Sequence, residues 1–398
     1  MLKGKVVLLG VTGGIAAYKA AALCSALVKT NATVEVVMTK NATEFIAPLT
    51  FEQLTGNKCL VDTFDRNFVH QVEHISLARR TDLVMIAPAT ANVCAKLAHG
   101  LADDMLTTTV LACKCPKLIA PAMNTGMWEN PVTQDNLQTL RHYGWEVIAP
   151  ASGRLACGDV GAGKLPEPEL LLEHIIRALA MPKDLAGKQV LVTAGATCEA
   201  LDPVRFITNH SSGKMGFALA KAAMLRGAEV KVICGSTTVA PPPFVEVIKV
   251  QSAAQMFEAV RAHSREADFV FKAAAVADNT PAEPATEKMK KKDGALSIPL
   301  KRTEDILAWL GANRRPGQVL CGFSMETENV LENSKEKLKK KGVDMICAND
   351  LRQAGAGFGV DTNVITLITA EDVRQLPLMS KEAAANAILD RALILAGK

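Results

Sequence analysis

Three groups of residues in this chain are spaced so that they could do chemistry. The first is Asn209-His210-Ser211-Ser212-Gly213-Lys214-Met215-Gly216, between an apolar run at 189–194 and a stretch at 215–226 with apolar residues at helical spacing. Glycines let a backbone come close to a ligand, hydroxyls and free helix amides donate hydrogen bonds, and Lys214 adds positive charge. Those are the ingredients of a phosphate seat. An ordinary helix entry capped by Ser212 would use the same residues, and the spacing is neither that of a P-loop nor Gly-x-Gly-x-x-Gly.

The second group couples small residues to an asparagine: Ala87-Pro88-Ala89-Thr90-Ala91-Asn92 and Ala120-Pro121-Ala122-Met123-Asn124. Small side chains admit a flat ring, and an amide donates and accepts at once; two capped strand-to-helix turns would look the same. The third group holds proton carriers. His70-Gln-Val-Glu-His74 could be an inverted zinc-protease pattern without an identifiable third ligand, two partly exposed histidines, or a setting in which His74 is a base. Cys157 sits among the four glycines of 152–168, a segment too flexible for an element interior and suited to a mobile flap. Its thiol could donate a proton or merely fill space. Cys113 and Cys115 have no second pair nearby and read as inert.

These groups need scaffolding. Val6–Gly10 is an apolar run entering Val11-Thr12-Gly13-Gly14, and 15–29 has helical spacing: strand, glycine turn, helix, the opening of a doubly wound sheet with a phosphate or cofactor at the turn. Further strands are expected at 34–39, 83–87 and 117–120, then a helix over 167–179 and a linker at 181–188. The pattern restarts at Gln189, with strands at 189–194, 229–234, 268–273, 319–323 and 345–348 and a hairpin from 363–369 and 375–378. Two α/β domains with parallel sheets follow. The lysines of 288–292 and 335–341, the loop at 209–216 and the strand exit Ala273–Asp278 would then gather at one end of the second sheet, where several phosphates would account for them; solvated lysines on an exposed face are the alternative.

Composition narrows the field. A length of 398 residues implies at least two cores, 49% hydrophobic and 22% charged residues are globular values, and a net charge of +4 gives no reason to invoke nucleic acid. Ten scattered cysteines and an N-terminus without a signal-peptide core suggest a reduced, cytoplasmic protein. The apolar runs fall short of the roughly 20 residues that span a bilayer, so no membrane segment is expected.

Taken together, Gly10–Lys19, His74-Ile-Ser76, Ala87–Asn92, Pro121–Asn124, Ala156–Asp159, Asp202–Arg205, Asn209–Gly216, the region to Asp278 and Ile346–Asp350 resemble the bifunctional coenzyme A biosynthesis family. In that family a phosphopantothenoylcysteine decarboxylase is fused to a phosphopantothenate–cysteine ligase, and the likeness spans nearly the whole chain. For residues 1–180 it implies a flavodoxin-like sheet binding FMN at Gly13, Gly14, Ile15, Thr39, Thr90, Ala91, Asn92, Val93 and Ala122. FMN would oxidise the cysteinyl thiol of 4'-phospho-N-pantothenoylcysteine so that CO2 can leave. His74 would be the base, Asn124 would hold the substrate carboxylate, and Cys157 would protonate the enethiolate.

For residues 189–398 the resemblance implies a Rossmann-like sheet that activates 4'-phosphopantothenate with CTP and Mg2+ to an acyl-cytidylate, which the amine of cysteine attacks. Asn209 would contact the acyl-cytidylate and Lys288 the phosphates. Arg205, Ser211, Ser212, Gly213 and Lys214 would serve the substrates, with Lys272, Ala273, Ala274, Asp278, Glu304, Asp305, Ile306, Leu307, Phe323, Lys337 and Lys341 around the nucleotide. The family further implies homo-oligomers, trimers of the first half joined by dimers of the second. The sequence departs from the family pattern at Cys198 and at Asn279-Thr280. A flavoprotein that only binds and regulates is the rival, but it would need no base, carboxylate clamp and acid together; a dehydrogenase would need the missing Gly-x-Gly-x-x-Gly.

Overall fold

The computed structural model describes residues 1–64, 73–156, 158–290, 297–326, 330–350 and 360–397. Its chain divides into two compact units, Met1–Met181 and Pro182–Lys398. In the first, strands β1 (Val6–Val11), β2 (Thr33–Met38), β3 (Leu83–Ala89), β4 (Lys117–Pro121) and β5 (Glu146–Val147) pair in parallel in the order β2-β1-β3-β4-β5. β1 and β3 are almost wholly buried, as apolar parallel strands covered on both faces must be. Helices α3 (Glu73–Arg80), α4 (Ala91–Ala98), α5 (Met105–Ala112) and α7 (Pro131–His142) pack on one face, where Leu77, Val93, Leu106 and Leu137 meet Leu8, Val84, Ile86 and Ile119. Helices α1 (Ala17–Lys29) and α8 (Pro168–Leu179) pack together against β3, with α2 (Pro48–Thr55) beside α1 and the short α6 (Thr125–Glu129) before α7. This is the doubly wound 2-1-3-4-5 order of flavodoxin-like sheets.

The second unit is built on an eight-stranded sheet. Strands β8 (Gln189–Ala194), β11 (Glu229–Cys234), β12 (Glu246–Lys249), β13 (Phe269–Lys272), β16 (Val319–Glu326) and β17 (Met345–Asp350) are parallel, and β19 (Ile365–Thr369) and β20 (Val373–Gln375) join antiparallel. The order β12-β11-β8-β13-β16-β17-β19-β20 runs outward from β8 to one edge, then returns to β13 and proceeds to the other, the Rossmann-like arrangement. Alternate residues of β8 serve opposite faces. Val190 and Val192 meet α9 (Lys214–Leu225) and α13 (Lys381–Ala396), whereas Leu191 meets α10 (Ala253–His263), α11 (Ile306–Ala312) and α12 (Val330–Lys341).

Four small antiparallel pairs decorate the two sheets: β6 (Ala151–Arg154) with β7 (Val160–Lys164), β9 (Cys198–Ala200) with β10 (Phe206–Thr208), β14 (Asn279–Pro281) with β15 (Leu300–Arg302), and β18 (Thr362–Asn363) with β21 (Met379–Ser380). The glycine-rich segment expected to be too flexible for an element is thus the β6–β7 hairpin. The segment 181–188, expected as a linker, is largely part of the second unit: Leu185 is buried, and Arg226, 4% exposed, donates to both carboxylate oxygens of Asp184 at 2.9 and 2.6 Å and to Asp390 at 2.7 Å.

Candidate functional site

In the first unit, turns leave the carboxyl ends of β1, β2, β3 and β4, around the point where strand order reverses between β1 and β3. They carry Gly13 to Ile15, Thr39, Thr90 to Val93 and Ala122, and hydrogen bonds tie them together. Thr12, fully buried, donates its hydroxyl to Pro88 O at 2.8 Å and accepts from Thr90 N at 3.0 Å. Thr39 N donates to Val11 O at 3.0 Å, and Ala122 N to Ala89 O at 2.9 Å. Thr90 caps α4 by accepting from Val93 N, while Asn92 beside it is exposed.

The lining has room. A Cβ on Gly13 would lie 2.6 Å from Asn41 Cβ, so that glycine is required by packing, whereas around Gly14 the nearest side-chain atom would be Thr90 Cγ2 at 4.0 Å. Ile15 is 63% exposed beside this opening. Thr39 Oγ1 is buried with no hydrogen-bond partner among the described residues. Helix α1 starts without a side-chain cap, and in its first turn Ala17 N donates to Gly14 O at 2.9 Å and Lys19 N to Ala16 O at 3.0 Å. A flat polar ring fits that combination.

Asn124 stands at the next turn, where its Oδ1 accepts from Gly126 N at 2.8 Å as the cap of α6 and its Nδ2 donates to Asp159 Oδ2 at 2.7 Å. The β6–β7 hairpin lies directly on this turn. Met123 N donates to Gly163 O at 3.0 Å, and a Cβ on Gly163 would come within 2.2 Å of Met123 O. His74 is half-buried in the first turn of α3. His70 and Cys157 lie outside the described residues. Among the described residues no three histidines, cysteines or carboxylates gather as a metal site. Cys115, expected to be inert, has its thiol lowered to about 7 by a hydrogen bond from Cys113, with Lys117 assisting; a lowered thiol is a more reactive one.

In the second unit the sheet reverses order between β8 and β13, and the two strand exits there are laced together. Thr193 Oγ1 accepts from Ala274 N at 3.1 Å, Thr197 Oγ1 from Ala277 N at 3.0 Å, and Ala275 N donates to Gly195 O at 2.9 Å. Asn209 Nδ2 donates to Ala275 O at 3.2 Å. Beside this lies a cavity of about 460 Å³ lined by Lys272, Asp278, Glu304, Asp305, Ile306, Leu307, Phe323, Lys337 and Lys341, together with Val276, Ala277, Asn279, Arg302 and Thr303. Asp305 caps α11 through Ala308 N at 2.9 Å and pairs with Lys341, and Lys337 donates to Phe323 O at 3.3 Å.

The electrostatics favour a polyanion. Burial, then the charge of Lys337, pushes the Lys272 ammonium down to about 8 against the pull of Asp278 and Asp305. Burial alone would raise the Asp305 carboxyl, but the Lys341 ammonium and the Ala308 amide outweigh it and hold it below the ordinary carboxylate range. Four basic side chains, Lys272, Arg302, Lys337 and Lys341, face three carboxylates around one cavity.

Other expected residues stand elsewhere. Ser212 is buried, but the cap of α9 is Gly213 in the left-handed conformation, at φ 80, with no side-chain cap; a Cβ there would meet Thr237 Cγ2 at 2.5 Å. Lys214 pairs with Asp361 at 2.7 Å and lines a different cavity, of about 540 Å³. Arg205 lines a third, of about 1060 Å³. There it pairs with Asp202 at 2.6 Å and donates to Met289 O at 3.0 Å, while Lys288, next in chain, is exposed. Lys214, Arg205 and the pair Lys337 and Lys341 thus line three different cavities, and residues 291 and 292 of the first basic segment lie outside the described residues. Cys198 donates to Thr208 Oγ1 at 3.5 Å within the β9–β10 pair. Thr12 and Asp159 lie in motifs singled out above but were given no role of their own, and Thr193, Thr197 and Arg302 were not singled out. The threonines act through single hydroxyls in or just beyond apolar strands, and Arg302 lies two residues before Glu304.

With this geometry in hand, comparison with known proteins is informative. Residues 1–180 match the family described as Flavoprotein, and residues 185–395 the family described as DNA/pantothenate metabolism flavoprotein C-terminal domain. The coenzyme A biosynthesis bifunctional protein CoaBC of Bacillus subtilis is 48% identical over 387 residues, covering 96% of this chain and 95% of that protein. Its namesake in Vibrio cholerae is 46% identical over 390 residues, covering 98% of each, and that of Mycobacterium tuberculosis is 44% identical over 405 residues, covering 97% and 96%.

Proposed function

This chain belongs to the family of bifunctional coenzyme A biosynthesis proteins, and we propose that its two units divide the work: residues 1–180 as the decarboxylase and residues 189–398 as the ligase. The protein acts in coenzyme A biosynthesis with both activities. In the proposed order the second unit joins cysteine to 4'-phosphopantothenate, and the first removes CO2 from the resulting 4'-phospho-N-pantothenoylcysteine to give 4'-phosphopantetheine.

The ligase half takes CTP. The pantothenate carboxylate attacks the α-phosphorus, pyrophosphate leaves, and the resulting acyl-cytidylate loses CMP when the cysteine amine attacks its carbonyl. A carboxylate is a poor acyl donor until its oxygen becomes part of a good leaving group, and lysines neutralise the charge that develops on the departing phosphates. Lys272, Lys337 and Lys341 occupy that role in the cavity, Asn209 holds the acyl-cytidylate from the β13 exit, and Lys288 meets the phosphates. Mg2+ would arrive with the nucleotide and neutralise phosphate charge, and the carboxylates that could hold it are those lining the cavity, Asp278, Glu304 and Asp305. The single observation that carries the ligase reading is that Lys272, Asp278, Glu304 to Leu307, Phe323, Lys337 and Lys341 line one cavity.

For the decarboxylase half, the lining around Gly14, Ile15, Thr39 and Thr90 suits FMN, which when bound supplies the reversible two-electron chemistry that this net non-redox reaction needs. Asn124 holds the substrate carboxylate, His74 accepts a proton from the substrate, and Cys157 returns one. We place the protein in the cytoplasm; among the described residues no helix is long and apolar enough to cross a membrane. We also expect homo-oligomers, trimers through the first unit and dimers through the second. In support of the dimer, Val204, Phe206, Ile207 and Leu300 stand exposed on the β9–β10 and β14–β15 pairs.

The test is direct. The purified chain is incubated with 4'-phosphopantothenate, cysteine, Mg2+ and either CTP or ATP, and products are followed by mass. The expected result is 4'-phosphopantetheine with CTP and much less with ATP. Formation of neither the cysteine conjugate nor its decarboxylated product would overturn the reading.

A further inference from the structure

Asp159 stands within the β6–β7 hairpin, and nothing in the proposed chemistry uses it. Its Oδ2 accepts from Asn124 Nδ2 at 2.7 Å. The orientation of that amide is settled from the other side, because Asn124 Oδ1 accepts from Gly126 N at 2.8 Å and so Nδ2 must face the hairpin. The backbone reinforces the approach: Met123 N donates to Gly163 O at 3.0 Å, and only glycine fits at 161 and 163, where a Cβ would lie 2.6 Å from Thr125 Oγ1 and 2.2 Å from Met123 O. A carboxylate of the protein itself thus rests on the donor that the decarboxylase reading reserves for a carboxylate of the substrate.

We propose that Asp159 is a positioning residue that occupies the carboxylate seat on Asn124 and yields it to the substrate. The inference rests on the reading of Asn124 as the carboxylate clamp. Two carboxylates sharing one amide nitrogen lie close enough to repel each other in a partly desolvated turn, so docking of the substrate carboxylate loosens the Asn124–Asp159 bond. A ligand without a carboxylate leaves that bond in place. Asp159 therefore weakens binding of carboxylate-bearing ligands selectively, and after CO2 is lost it reclaims the seat beside the product. The specificity consequence is a chain that holds its substrate less tightly than Asn124 alone would allow, while its grip on the decarboxylated product is untouched.

The experiment compares two unreactive ligands on the full-length flavin-loaded protein by titration calorimetry. One is the serine analogue of the substrate, with hydroxyl in place of thiol; the other is the same molecule lacking the carboxyl group. Asp159→Asn keeps an acceptor for Asn124 but removes the charge. It should tighten the carboxylate-bearing ligand about tenfold relative to the other, the ratio expected for roughly one lost charge repulsion. Asn124→Asp still caps α6 but replaces the donor by a charge, and should loosen the carboxylate-bearing ligand selectively. If Asn124→Asp has that effect and Asp159→Asn changes the ratio less than twofold, the role of Asp159 is overturned and the clamp stands. If Asn124→Asp leaves the ratio unchanged, the clamp fails and Asp159 falls with it.

Discussion

Replacing Lys272 by methionine separates what this lysine costs the fold from what it gives the ligand. Its side chain is half-buried at the end of β13 and its ammonium is pushed down from 10.5 to about 8, first by burial and then by Lys337. At about 1.36 kcal/mol per tenfold change in the protonation equilibrium, that gap corresponds to about 3 kcal/mol. Solvent reaches the side chain, so about 1–2 kcal/mol is the magnitude to expect after screening.

The pH window follows from the direction of the shift. Below pH 8 both folded and unfolded chains hold the proton, and the folded state carries the whole penalty. As pH rises from about 8 towards 10.5 the folded chain binds fewer protons than the unfolded one, so stability rises until the penalty is gone. Lys272→Met should therefore melt about 2–8 °C higher at pH 7, and the advantage should shrink to nothing by about pH 10.5. Differential scanning calorimetry of both proteins across this range reads it. The same variant should bind CTP about tenfold to a hundredfold more weakly, the loss of one charge-assisted contact. Binding of CTP near pH 8 to the unmodified chain should take up protons, seen as a buffer-dependent enthalpy. A variant that melts lower at pH 7, or a melting difference that does not change with pH, would refute the reasoning.

Thr12→Val should strand Pro88 O and Thr90 N inside the first unit, costing about 2–4 kcal/mol, and should lower the ratio of flavin to protein absorbance after purification. The unmodified protein should be yellow, and Cys157→Ser should release CO2 yet stall before product; full turnover by that variant would remove Cys157 from the mechanism. Asn209→Asp should leave decarboxylation of added 4'-phospho-N-pantothenoylcysteine intact while the acyl-cytidylate accumulates, read by quenched-flow mass analysis.

Much of the architecture was legible because buried parallel strands are mostly apolar: β1 and β3 are wholly so, and β4, β8 and β11 keep an apolar stretch behind a polar first residue. The β19–β20 hairpin was legible as the runs 363–369 and 375–378, but the four small antiparallel pairs were not. Every residue of β10 and β15 is exposed, so neither strand alternates, and β7 hides its pairing behind glycines that let the hairpin touch Met123 and Thr125. Among the lysines of 335–341, only Lys337 and Lys341 are half-buried, one helical turn apart on the cavity side, whereas 335, 339 and 340 are exposed. Charge runs look alike in a sequence, and only the helix phase relative to Leu338 and Ser334 separates them. The partner of Lys214 was illegible for a similar reason: Asp361 lies far along the chain.

Arg226 joins Asp184, just inside the start of the second unit, to Asp390, in its last helix. Arg226 is buried while both carboxylates reach solvent, so each screened pair contributes about 1 kcal/mol or less, and the guanidinium works as a clasp between head and tail. A protease nick after Met181 would spare every member of that clasp. The second unit is thus built as a self-fastened module, which a gene could carry alone or tethered.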